Sequence, residues 1–165
     1  MLVDSLRLVP PVVAGAALIA AAWHDVRSYE VPNRFAAAIA LAFLAASLTG
    51  TLHAALVGLG IGGAVLALGT VFFALGWVGG GDVKLLAAIA LWVPVPLLAG
   101  FTMVISLAGA ALALVLMTPA RQLFPTPPQE LLAAAGPSHA LRQPMPFCVA
   151  IAFGGVFTLC HRLAG

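Results

Sequence analysis

The chain has 165 residues, of which 63% are hydrophobic and only 7% charged, and its mean hydropathy is +1.15. A soluble domain keeps roughly a quarter of its residues charged. Seven basic and five acidic side chains cannot solvate a globular surface of this size, so lipid is expected to be the main solvent. The net charge of +2 gives no reason to expect a nucleic-acid partner.

A helix needs about 20 mostly apolar residues to cross a bilayer, and six apolar segments of the chain are candidates for such spans. Asp4 and Arg7 cancel before the first segment, whereas a cleaved signal peptide has net positive charge there, so we expect this helix to be retained. The pattern predicts an all-α polytopic membrane protein with six transmembrane helices, forming one membrane-embedded domain over residues 1–165 without a soluble domain. The predicted spans are Leu8–Trp23, Arg34–Leu48, Leu52–Trp77, a segment from Val83 to the prolines Pro94 and Pro96, Leu97–Met117, and Met145–Leu163.

The basic residues predict the orientation, because Lys and Arg are enriched in cytoplasmic loops. With six spans, five of the seven fall on one side, which is therefore expected to be cytoplasmic, and both termini are expected to face outward. Those five are Arg27, Arg34, Lys84, Arg121 and Arg142. The long loop Thr118–Gln143 lies on the same side, and we expect one short helical turn in it, at Glu130–Ala135.

Two acidic residues stand where an apolar span meets the cytoplasmic boundary. Asp25 closes the first span, and Asp82 opens the fourth. The topology brings them to the same face, because the second span leads away and the third returns. An ionisable residue at such a boundary is costly and therefore indicates a functional site. Two carboxylates a few ångströms apart cannot both ionise easily, so they share one proton. A pair with one proton can act as general acid and general base in the hydrolysis of an amide.

The fourth span is short and begins with glycines. From Val83 to Val93 there are only eleven residues, about 16 Å of helix or roughly half the hydrocarbon core. Three consecutive glycines, residues 79–81, predict irregular backbone with room for an extended substrate. Two structural readings stay open at this point: Asp82 as a helix N-cap, and Asp25 as a helix end paired with Arg27 or His24.

The segment Gly79-Gly80-Gly81-Asp82-Val83-Lys84-Leu85 resembles the Gly-x-Gly-Asp-Val-Lys-Leu signature of type IV prepilin peptidases, which are intramembrane aspartyl peptidases. The segment from Asp25 to Pro32-Asn33 is similar to that family's first-aspartate motif, and Pro144-Met145-Pro146-Phe147 resembles the start of its last helix. The resemblance implies a multi-pass endopeptidase of the bacterial inner membrane. It implies that Asp25 and Asp82 are catalytic and that the substrate is the short, basic leader of a prepilin, cut at the cytoplasmic face to support pilus biogenesis or type II-like secretion.

One departure from the larger family members defines the expected subtype. Those members carry a cytoplasmic insert with paired Cys-x-x-Cys motifs and also methylate the new terminus, whereas this chain has only Cys148 and Cys160. The chain resembles the short, peptidase-only form of Flp/Tad pili, and no methyltransferase activity is expected. Both cysteines are interpreted as small hydrophobic residues.

The remaining polar residues carry smaller predictions. Lys84 supports the site or reaches to the membrane surface, and Asn33 after Pro32 is interpreted as a helix N-cap. No metal or other cofactor is expected, because His24 lacks a second ligand at a suitable spacing. Gly58 and Gly62 form a Gly-x-x-x-Gly pair that predicts close helix packing.

Two other functions compete with the peptidase at this level. A small proton-coupled transporter would use the same intramembrane carboxylates, and a non-catalytic assembly subunit would need the glycine packing but not both aspartates. Composition does not predict the oligomeric state.

Overall fold

A computed structural model describes residues 2–119 and 145–164, and within those ranges every regular element is helical, as the composition predicts. The expected turn at Glu130–Ala135 lies outside the described residues. The helices are α1 (Leu2–Ser28), α2 (Asn33–Ser47), α3 (Leu52–Ala74), α4 (Gly80–Ala90), a short 3-10 turn (Val95–Leu97), α5 (Leu98–Leu116) and α6 (Cys148–Ala164).

Three stretches are long and apolar enough to cross a membrane, and they lie in α1, in α3 and in the 3-10 turn continued by α5: Leu8–Ser28, Leu52–Ala74 and Val95–Leu116. The helices α2, α4 and α6 have 15, 11 and 17 residues, fewer than the roughly 20 that a full crossing requires. Three of the six predicted spans thus have the required length, and the other three remain predictions.

The short helix α4 lies at the centre of the fold, in contact with α2, α3 and α6. Six of its eleven residues are buried: Val83, Leu85, Ala87, Ala88, Ile89 and Ala90. Just beyond it, the buried indole N–H of Trp92 donates to the carbonyl oxygen of Ile39, at 3.2 Å, and its ring meets Phe43 edge-on. These contacts fix α4 against α2, because a buried N–H that lost its acceptor would pay the full cost of desolvation.

The predicted Gly-x-x-x-Gly packing is confirmed at the contact between α3 and α4. A Cβ atom on Gly58 would lie 2.5 Å from the carbonyl oxygen of Leu91, and one on Gly62 would lie 2.5 Å from the Leu91 side chain. Both glycines are buried, whereas Gly60 and Gly63 have nothing within 4 Å of that position. The two inward-facing glycines therefore allow the backbones to approach as closely as they do.

The link between α1 and α2 is a four-residue turn with a strained residue at its start. The helix α1 continues past the predicted end at Trp23 as far as Ser28, and Tyr29 then adopts a left-handed conformation with φ 54°. Its N–H donates to the carbonyl oxygen of Asp25, at 2.8 Å. Left-handed backbone is uncommon for residues other than glycine and clusters at functional sites, so this turn marks the end of the molecule where such a site is expected.

Candidate active site

The two aspartates come together at one end of the helices, as the topology predicts. Asp25 lies in the last turn of α1 and is 4% exposed, and Asp82 is half-buried in the first turn of α4. One carboxylate oxygen of each, together with Sγ of Cys148, lie within 4.8 Å of one another. At this distance the charges of the two carboxyl groups interact, so that one of them ionises more easily than both.

Each aspartate lies at a helix end, where the helix dipole favours or disfavours its negative charge. Asp82 is the third residue of α4, where the N-terminal N–H groups and the helix dipole favour a negative charge. Asp25 stands at the opposite kind of end, the C-terminal turn of α1, where the dipole alone would disfavour its charge. The first residue of α6 compensates, since the backbone N–H of Cys148 donates to Asp25 Oδ2 at 3.0 Å.

The interpretation of Cys148 as a small hydrophobic residue is wrong. Its side chain is fully buried, and Sγ lies 3.0 Å from Asp82 Oδ1 in donor geometry. Cys148 thus contacts both aspartates, one through its backbone and one through its thiol. Pro146 before an apolar run signals a helix start with free N–H groups, but nothing in the sequence indicates that this start meets Asp25. Cys160 is exposed.

The glycines before Asp82 are more regular than the sequence suggests. The helix α4 begins at Gly80, so Gly80 and Gly81 are helical, and only Gly79 precedes it with extended backbone. Their small size serves close packing, because a Cβ on Gly81 would lie 3.0 Å from Cβ of Val31 and one on Gly80 would lie 3.2 Å from the Phe73 ring. All three glycines nevertheless line the pocket described below.

The expected N-cap role of Asn33 is also wrong. Pro32 occupies the N-cap position of α2, where no side chain caps the helix. The Asn33 side chain instead accepts a hydrogen bond from Lys84 Nζ, at 3.0 Å. This contact joins the start of α2 to the first turn of α4 two residues beyond Asp82. Lys84 therefore joins α4 to α2 and is not among the described residues that line the pocket, whereas Pro32 is.

The turn between α1 and α2 is folded back by His24. Its Nδ1 lies 2.8 Å from the carbonyl oxygen of Glu30 and 2.7 Å from the hydroxyl oxygen of Ser28. A carbonyl oxygen can only accept, so Nδ1 carries the hydrogen. His24 positions the turn at residues 29–32 and does not belong to the group that could present ligands to a metal ion, which consists of Asp25, Asp82 and Cys148.

The carboxylate pair opens into a pocket of about 940 Å³. Its described lining contains three acidic side chains, Asp25, Glu30 and Asp82, and no Lys, Arg or His. The remaining lining residues are Tyr29, Val31, Pro32, Trp77, Val78, Gly79, Gly80, Gly81, Met145 and Phe147.

Neighbouring cations are engaged outside this pocket. The Arg27 guanidinium lies 4.4 Å from the centroid of the Trp23 ring, and Arg34 lies 5.2 Å from that of Phe35. Among the residues that the structure describes, the pocket wall is therefore acidic and apolar, which suits a peptide with positive charge.

Comparison with known proteins identifies the family to which the chain belongs. The family model for the type IV leader peptidase family matches residues 12–114, a range that includes both aspartates but ends before Cys148. Neither the comparison with curated proteins nor that with solved structures found a match. The family match supports a leader peptidase and gives no support to the transporter alternative, and with the apolar helices above it supports a membrane protein. The matched range covers more than half of the chain and includes both aspartate motifs. The family predicted from those two motifs is confirmed, and the chain belongs to the type IV leader peptidase family.

Proposed function

We propose that this protein is an aspartic endopeptidase of the bacterial inner membrane that removes the basic leader of a Flp-type prepilin at the cytoplasmic face. The observation that supports this most directly is the pair Asp25 and Asp82, whose carboxylate oxygens lie within 4.8 Å at the wall of an acidic pocket. The family match supports a prepilin-type substrate.

The proposed chemistry uses one proton shared by the pair. The ionised carboxylate takes a proton from a water molecule, whose oxygen attacks the scissile carbonyl carbon, while the protonated carboxyl donates to the carbonyl oxygen. In the second step the carboxyl group that took the proton from water gives it to the leaving nitrogen, and the C–N bond breaks. The other carboxylate takes its proton back from a hydroxyl of the tetrahedral intermediate, which becomes the new carboxyl terminus, so the pair again holds one proton. The two groups titrate as one unit, so neither is assigned as the acid or the base.

The pocket accounts for substrate choice in this proposal. A volume of about 940 Å³ accepts a short extended peptide segment. Glu30 is exposed at the pocket wall, within the turn that His24 folds back. Its carboxylate is available to a Lys or Arg side chain of the leader, while the carboxylate pair faces the bond that is cut.

Orientation and subtype follow from the sequence. Five of the seven basic residues are assigned to the side that carries the pocket, which we propose is cytoplasmic, with both termini periplasmic. The absence of Cys-x-x-Cys pairs from the sequence supports the peptidase-only subtype of Flp/Tad pili.

The test is cleavage of a co-expressed Flp-type prepilin, read from the mass of the product. We compare the parent chain with Asp25→Asn and Asp82→Asn, which keep the shape of the side chain but remove its acidity. Glu30→Gln is the matched control, since it neutralises a carboxylate in the same pocket outside the pair. We expect cleavage by the parent and by the control, and none by either aspartate variant in membranes that contain equal amounts of protein. Cleavage that survives either aspartate substitution would refute the dyad.

A further inference from the structure

We propose that Cys148 is a positioning residue whose thiol holds the carboxylate of Asp82 beside that of Asp25. The inference rests on the proposed function and concerns a residue outside the range that the family model matches. The two aspartates are carried by α1 and α4, and Cys148 is the first residue of α6. One residue of a third helix therefore connects the two halves of the pair.

The geometry assigns a separate donor to each carboxylate. The backbone N–H of Cys148 lies 3.0 Å from Asp25 Oδ2, and the thiol sulfur lies 3.0 Å from Asp82 Oδ1. Without the thiol, the Asp82 side chain would lose this contact with α6 and could rotate about its own bonds.

The first turn of α6 is itself held in place, so the sulfur is a fixed point. Pro146 and Cys148 are fully buried. A Cβ on Gly109 of α5 would lie 3.2 Å from the Phe147 ring, which shows how closely this turn is packed against α5. A donor on such a rigid support costs little conformational entropy, because its neighbours have already immobilised it.

Electrostatics make this sulfur a donor and not a nucleophile. A thiolate here would add a negative charge within 4.8 Å of the carboxyl pair, which is already negative, in a buried position. Among the residues that the structure describes, no histidine belongs to this group of side chains to accept the thiol proton. The protonated thiol instead donates a hydrogen bond to Asp82 Oδ1.

The first measurement is infrared spectroscopy of the S–H stretch, which reports the contact independently of activity. The chain has two cysteines, so Cys160→Ala leaves Cys148 as the only thiol. We expect an S–H band at the lowered frequency of a hydrogen-bonded thiol, which moves to the frequency of a free thiol in Asp82→Ala and stays in place in Glu30→Ala. The proposal would be overturned if the S–H band of the parent had the frequency of a free thiol, or if its frequency did not change in Asp82→Ala.

The second measurement separates positioning from simple packing. We expect Cys148→Ala to lower kcat roughly 10- to 100-fold with little change in KM, the loss expected when a reacting group is misplaced by about an ångström. Cys148→Ser should recover most of kcat, because the serine hydroxyl can also donate a hydrogen bond to Asp82. Serine fills an apolar site no better than alanine does, so a role in packing alone would predict no such recovery. Cys160→Ala is the matched control and should behave as the parent does.

These outcomes distinguish the two proposals. If the parent cleaves and Cys148→Ala keeps full kcat, or if Cys148→Ser is folded but as slow as Cys148→Ala, the positioning role is refuted and the peptidase stands. If the parent does not cleave any prepilin, the proposed function fails, and the infrared band still decides whether the thiol holds Asp82.

Discussion

The contact between α3 and α4 carries the sharpest stability prediction, because one helix offers both a tight and an open glycine. A Cβ on Gly58 would lie 2.5 Å from the Leu91 carbonyl oxygen and 2.6 Å from Cζ of Phe43. Backbone and an aromatic ring cannot move aside at low cost, and overpacking of this kind costs about 1 to 3 kcal/mol. At Gly60 the same atom would meet nothing within 4 Å.

Alanine at either position removes the same glycine penalty in a helix interior, about 1 kcal/mol. We therefore expect Gly60→Ala to be neutral or slightly stabilising, and Gly58→Ala to be less stable than Gly60→Ala by about 1 to 3 kcal/mol. Reversible unfolding of the purified protein in mixed micelles measures the difference. Equal free energies of unfolding for the two variants would show that the close approach of α3 to α4 is not what the structure describes.

Three further predictions concern the site and its support. Glu30→Gln should raise KM about two- to five-fold for a leader with basic residues and leave kcat unchanged, since an exposed ion pair contributes about 0.5 to 1 kcal/mol; a neutral leader should show no such change. Trp92→Phe should lower the free energy of unfolding by about 0.5 to 1.5 kcal/mol, because it removes the hydrogen bond from the buried indole N–H to the Ile39 carbonyl oxygen, which keeps its partner within α2. Asn33→Ala should change that free energy by less than about 1 kcal/mol, because the hydrogen bond to Lys84 is exposed.

Each of these has an outcome that contradicts it. A KM increase that is equal for basic and neutral leaders would place Glu30 outside charge recognition. A Trp92→Phe variant as stable as the parent would mean that the Trp92–Ile39 hydrogen bond makes no net contribution to stability. A large loss of stability in Asn33→Ala would assign the Asn33–Lys84 contact a structural importance that its exposure does not suggest.

Much of the site could be predicted from the sequence, because the relevant signals are rare in an apolar chain. Asp25 and Asp82 stand out among five acidic residues, and alternation of the spans predicts that they share one end. The glycine pair at Gly58 and Gly62 predicts close packing because the spacing repeats on one helix face. Such inferences need only local spacing and the side of the membrane on which a span ends.

Other features depend on which side chains meet in space, and there the sequence-based interpretations were wrong. Asn33 follows a proline, and asparagine is a common N-cap residue, but the N-cap position of α2 is occupied by Pro32. The Asn33 side chain instead accepts a hydrogen bond from Lys84, 51 positions away. Three glycines suggest irregular backbone, but two of them are helical. Their small size instead allows Val31 and Phe73 to pack where a Cβ would be.

By itself the sequence determined the apolar, all-helical class of this protein, the two carboxylates and the family, since each depends on composition or on motifs contiguous in the chain. The tertiary structure alone decided the partners of those carboxylates. Cys148 lies 123 positions from Asp25 and 66 from Asp82, yet it donates to both. Hydrogen bonds act over about 3 Å, and only the packing of α6 against α1 and α4 brings these atoms within that distance.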